Sequence, residues 1–336
     1  MELLVGTETG AFVVGGSGGR READGLADRC VRTIRRSNGS LFAGTEQGVF
    51  RSADGGRSWR LSGVDGKIVW DIAVAPDGSA LYAGTQPAAL FRSRDGGESW
   101  EELKAMQQAP GHEKWCVPRS PLGARARTIV LDPTNPARLW VGLEVGGILE
   151  TTDDGATWSC TIPSGVTDIH VMAASPDQPA VMFATTGFGR AEDDPVPMHE
   201  RIAGLFRSRD GGKSWEYLWR NMSPPYTRPM CVDPRPPHAV SVGCAPSAFA
   251  SHRDPEGAKS MLYQSTDQGQ TWRSLGDDDH SPSSANILAV APTLDGSSSV
   301  LVGTDTGEIW RVSPQAEWRR IAGELPGVQA ILQLEG

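Results

Sequence analysis

The chain of 336 residues has no apolar run near the ~18 residues that span a bilayer, and no CxxC pair. Its first residues, Met1-Glu2-Leu3-Leu4-Val5-Gly6, lack a basic segment and a long apolar core, so neither signal peptide nor membrane helix is expected. The five cysteines (Cys30, Cys116, Cys160, Cys231, Cys244) are odd in number, which fits a reduced, cytoplasmic protein better than a disulfide scaffold. Basic residues are also short: 32 Lys and Arg face 41 Asp and Glu. The formal charge of −9 excludes a general nucleic-acid or anionic-membrane surface, so no nucleic-acid and no membrane partner is expected. GxSxG, a P-loop and a strand–helix GxGxxG are all absent, and the run Gly15–Gly19 reads as turn composition.

What is present is turn chemistry: 40 Gly and 24 Pro exclude a helical bundle, and 11 Trp exclude a disordered chain. Five segments share the pattern S/T-x-D-x-G-x-x-W at a spacing of roughly 40–60 residues. They are Ser52–Trp59, Ser93–Trp100, Thr151–Trp158, Ser208–Trp215 and Ser265–Trp272. The Asp accepts hydrogen bonds from backbone N–H groups, the Gly supplies positive φ, and the Trp packs beneath the turn. Such a pattern is structural and carries no catalysis of its own.

Around each turn the sequence reads as four short strands, the unit of a propeller blade. Residues 67–103 show it as IVWDIAVAP, ALYAGT, LFRS and EEL. Complete units fall at about 29–62, 67–103, 125–162, 167–218 and 226–275, and a sixth at 284–321 has lost the Asp and Gly of its turn. The end segments, 327–336 and 1–14, are each part of a blade and together make a seventh. The expectation is an all-β chain over 1–336, a single seven-bladed β-propeller closed by strands from both termini.

Inner strands line a propeller's channel, and their side chains alternate. Aligning VRTI, VWDI, ARTI, IHVM, TRPM, ANIL and VQAI places Arg32, Trp70, Arg127, His170, Arg228, Asn286 and Gln329 in one ring. Two residues earlier come Cys30, Ile68, Arg125, Asp168, Tyr226, Ser284 and Gly327. The second strands end at the same mouth on Glu8, Glu46, Gln86, Glu144 and Asp305. Long insertions at 104–124, 187–203 and 243–260 lie over that mouth and carry His112, Trp115, His199 and His252.

Converging guanidinium groups suit a small carboxylate, phosphate or sulfonate ligand. Arg32, Trp70, Arg125, Arg127, Arg228, Asn286, Trp115 and Gln329 are the expected ligand-binding residues. Glu144, Asp168, His170 and Tyr226 are the acid, base or nucleophile candidates. The bland alternative is that the arginines only pair with channel carboxylates and ordered water. No cofactor is required; a divalent metal would need His170 with His112, His199 or His252, and no HxH or HExxH spacing supports one.

The repeated turns resemble the bacterial Asp-box, or BNR-repeat, β-propellers over nearly the whole chain. That group includes sialidases, xyloglucan-cleaving glycosidases, sortilin-type receptors and photosystem II assembly propellers, so the resemblance alone fixes no activity. Sialidases place an Arg triad, a Tyr–Glu pair and an Asp in the channel. Arg127, Arg228, Tyr226, Glu144 and Asp168 are of those types, but the Phe/Tyr-Arg-Ile-Pro opening is missing. Three functions are expected to compete: an anionic-ligand site, with or without acid/base chemistry as a hydrolase or lyase; a protein-interaction scaffold; and a glycosidase with paired carboxylates.

Overall fold

The structure is a computed structural model, and it describes residues 1–334 apart from 16–18, 119, 192–193, 278 and 281. The glycine run 15–19, the last two residues of the seventh blade and two of the three insertions therefore lie partly outside the described residues. Among the described residues, seven four-stranded antiparallel sheets account for every strand. Blades 1 to 6 open with inner strands Val31–Ser37, Ile68–Val74, Arg125–Leu131, Ile169–Ala174, Tyr226–Val232 and Ile287–Pro292. Blade 7 is composite: inner strand Val328–Leu334 pairs with Glu2–Thr7, followed by Gly10–Val14 and a short outer strand, Arg20–Glu22. The ring thus closes through hydrogen bonds between the two ends of the chain, as expected.

Each S/T-x-D-x-G-x-x-W segment joins a third strand to a fourth. In the first, the Asp54 carboxylate accepts the N–H groups of Arg57 and Ser58 at 3.0 Å and the hydroxyls of Ser52 and Ser58. Gly56 takes φ 86° and gives its N–H to Ser52 Oγ, while its carbonyl accepts Trp59 Nε1–H. Asp95, Asp153, Asp210 and Asp267 repeat the carboxylate pattern. These hydrogen bonds hold the Asp carboxyls below their ordinary range, Asp210 at about 2, where hydroxyl and N–H donors outweigh slight burial.

Most second strands carry a glycine near their end for a packing reason. A Cβ on Gly84 would lie 2.4 Å from the Ala126 carbonyl, and one on Gly142 would lie 2.7 Å from Ile169. Each glycine lets the next blade's inner strand sit directly on the sheet, and the adjoining faces bury a contiguous apolar core.

The inner strands share an irregularity that builds the channel. In every blade the register slips by one residue near the strand start, leaving Arg32, Trp70, Arg127, His170, Arg228 with Pro229, Leu288, and Gln329 outside the ladder. A bulged residue is unpaired and its side chain is re-aimed. The bulge corrects one sequence alignment: in blade 6 the ring position is Leu288, and Asn286 stands two residues earlier. Alternation hid the slip, because a two-residue shift keeps a side chain on the same face.

Two outcomes test this architecture. A chain ending at Pro326 loses the Val328–Leu334 strand and should be destabilised by about 4 kcal/mol or more, a Tm drop of roughly 8 °C, by calorimetry. Asp95→Ala should lower the urea midpoint at pH 7. The gap from the parent should narrow progressively as pH falls below about 4, because a depressed carboxyl loses its contribution on protonation.

Candidate functional site

The bulged ring residues line a channel cavity of about 420 Å³. Arg32, Trp70, Arg127, His170, Arg228 and Gln329 face it, joined by Arg125 from two residues upstream. The Trp70 indole is the hub of one wall. The guanidinium carbons of Arg125, Arg32 and Arg127 lie 4.4, 4.5 and 5.3 Å from its ring centre. Cation–π attraction gathers three like charges that would otherwise repel.

One carboxylate answers two of them. Glu144, at the end of its second strand, accepts Arg125 Nη1–H at 2.9 Å and also pairs with Arg127. Burial by itself raises the Glu144 pKa, and the positive charge beside it, that of Arg127 foremost and of Arg125, more than offsets that, bringing it down to about 2. Glu144 is therefore ionised at neutral pH, suited to a counter-ion or base and not to an acid. Arg125 Nε–H and Trp70 Nε1–H both reach Gln86 Oε1, at 3.1 and 3.4 Å.

Arg32 and Arg228 differ. Among the described residues neither forms an ion pair, and each has a buried Nε without a hydrogen-bond partner. Arg32 donates to Cys30 Sγ at 2.9 Å. The Arg228 guanidinium lies 5.8 Å from the centre of the Tyr226 ring, and among the described residues its Nε–H has no acceptor. Direct pairing with a channel carboxylate thus holds for Arg125 and Arg127, while Arg32 and Arg228 have none among the described residues.

Beside Arg228 is a buried cluster. The His170 ring is fully enclosed, with Nδ1 2.5 Å from the Thr227 carbonyl. Since a carbonyl only accepts, Nδ1 carries a proton. His170 Nε2 then faces two groups at 3.2 Å, the Tyr226 hydroxyl and Asp168 Oδ1. Asp168 Oδ2 accepts the Gly189 N–H at 2.8 Å. Burial pushes the Tyr226 phenol above its ordinary value, Arg228 opposing it in part, so the hydroxyl remains a donor.

The 187–203 insertion closes over this cluster through glycine. A Cβ on Gly187 would stand 2.3 Å from Asp168 Oδ2 and 2.7 Å from both His170 and Tyr226. The sequence reading missed Gly187 and the Thr227 carbonyl; the only signal was the Gly-Phe-Gly that follows the second strand of blade 4.

Several expected residues are placed elsewhere. Asn286 does not line the cavity; its side-chain amide donates to the Ala250 carbonyl and ties down the 243–260 insertion. Trp115 packs against the core between blades 2 and 3, a position fixed by backbone pairing of Cys116 with Val145. The histidines suggested as metal ligands do not gather. His112 edges onto Trp115, His199 is exposed beside Glu200, and His252 pairs with Asp305 at 3.1 Å. Among the described residues no group of three or more His, Cys, Asp or Glu is arranged to hold a metal ion.

No family model matches the sequence, and neither does any curated protein. Solved structures do. A GH74 xyloglucanase from Xanthomonas campestris superposes with TM-score 0.65 at 18% identity, over 97% of this chain and 52% of that one. The chain therefore spans about half the length of that enzyme. A candidate 6-phosphogluconolactonase from Bacteroides uniformis gives 0.63 at 10% identity, over 98% of both chains. YCF48 from Cyanidioschyzon merolae gives 0.56 at 15%, over 87% and 84%. At these identities the likeness is one of fold, and the fold it supports is the seven-bladed propeller.

Proposed function

We propose that the channel mouth binds a small anionic molecule through a carboxylate, phosphate or sulfonate group. The observation that carries this reading is Arg228, a guanidinium lining the cavity that forms no ion pair with a carboxylate among the described residues. A partly buried cation without a partner is costly unless water or a ligand supplies one. Arg32 and the shared pairing of Arg125 and Arg127 on Glu144 extend the positive field, in a chain that is acidic overall. The repeated turn geometry supports grouping the chain with Asp-box propellers, whose functions are too varied to choose the ligand.

The glycosidase reading has less support. Glu144 is held ionised by two arginines and Asp168 lies under the 187–203 insertion, so neither is a ready general acid. A protein partner is favoured by a different observation. Leu122, Met198, Ile202 and Phe249 are exposed apolar side chains on the three insertions, Phe249 to 82%.

Arg228→Gln and Arg127→Gln separate the possibilities. Arg228→Gln should leave Tm unchanged or raise it, since no ion pair is lost. Arg127→Gln should lower it by several degrees, because Glu144 loses a partner. The parent should gain Tm with millimolar sulfate, phosphate or formate, and Arg228→Gln should lose that gain. A parent indifferent to all three anions, with a destabilised Arg228→Gln, would sink the proposal and leave a structural arginine ring.

A further inference from the structure

The cluster behind Arg228 is one proton short. With Nδ1–H committed to the Thr227 carbonyl, His170 Nε2 has one remaining place, for a lone pair or for a proton. The neutral ring accepts from the Tyr226 hydroxyl, and Asp168 Oδ1 is then a buried oxygen without a donor. The imidazolium form donates Nε2–H to Asp168 Oδ1 instead and leaves the Tyr226 hydroxyl to find another acceptor. Neither state satisfies both neighbours. A buried carboxylate oxygen with no donor carries a desolvation cost, so a small change in local charge decides between them.

The charged and titratable groups facing His170 come from its own blade and from both neighbours. Asp168 precedes it on its own blade; Arg127 and Glu144 come from blade 3, with Arg125 beside them; Tyr226 and Arg228 come from blade 5. Arg125, Arg127 and Arg228 outnumber the carboxylates of Glu144 and Asp168. An anion beside Arg228 adds negative charge near the ring and favours its protonated form.

We propose that His170 is the proton-holding residue of the anion site: as an anion enters the cavity, the imidazole takes a proton from solvent. Its Nε2–H is then given to Asp168, and the Tyr226 hydroxyl is released. This rests on the channel-mouth reading above and adds its regulation. The balance is simple. Neutral imidazole plus one solvent proton gives imidazolium, and no covalent bond other than N–H is made. By linkage, anion affinity then rises as pH falls, even for an anion whose own charge is fixed.

Sulfate keeps its charge across the neutral range, so it isolates the protein's proton. Sodium sulfate is titrated at pH 7 into unbuffered protein, and the proton taken up is read potentiometrically. Sulfate binding is measured in parallel by calorimetry. Uptake that saturates with binding, and is absent in His170→Gln, is the expected result. Tyr226→Phe, which removes the donor to the neutral ring, should bind sulfate with less uptake than the parent, because its ring is already protonated more often. Sulfate binding without proton uptake, or uptake unchanged in His170→Gln, overturns the proton proposal and leaves the anion site standing. Absence of sulfate binding overturns the proton proposal, and the anion site falls with it when phosphate and formate also fail to bind.

Discussion

A single extra residue in each inner strand governs this molecule. The bulge releases a side chain from the ladder in each blade, Arg228 together with Pro229 in blade 5, and aims it at the axis, so the channel is furnished by residues that need not obey the packing rules of the sheet. Arginine and tryptophan are accepted there because the bulged backbone aims them into the channel, whereas His170 is enclosed against blade 5. The glycine opposite the bulge completes the arrangement in most blades. It lets the neighbouring strand approach closely and keeps the ring small enough for the side chains to meet across it.

Charge is distributed unevenly around that ring. On the side of blades 2 and 3, an indole, a glutamine and a single glutamate organise the arginines into a network that is neutralised in part. On the side of blade 5, Arg228 has no such neighbour, and behind it lies a histidine whose two partners compete for one proton. The first arrangement is what stability alone would produce. The second is the kind of unfinished pairing that a ligand completes. The insertions reinforce the asymmetry: one is fastened by backbone pairing at Val145, one by Gly187 and Gly189 over Asp168, and one by Asn286 and Asp305.

Much of this was legible in the order of residues. Repeated turns with Asp, Gly and Trp at fixed offsets dictate hairpins through local hydrogen bonds, and strand lengths between them dictate four-stranded blades. Incomplete blades at the two ends implied closure, because a ring leaves no free sheet edge. The ring of Arg32, Trp70, Arg127, His170, Arg228 and Gln329 followed from alternation. Alternation has a period of two, so it placed the side chains on the correct face and still allowed Asn286 to stand in for Leu288.

The sequence by itself therefore determined the fold and the chemical character of the channel, since both follow from short-range patterns repeated along the chain. Tertiary structure decided which charges are paired. Arg127 and Arg228 occupy equivalent positions and read alike in sequence, but only Arg127 has Glu144 at the end of its own sheet; the strand beside Arg228 ends on Ala245. His170 became one end of a proton contest only when Tyr226 and the Thr227 carbonyl arrived from the next blade, more than fifty residues away. Pairing and protonation depend on separations of a few ångströms between distant segments, and no local pattern encodes such distances.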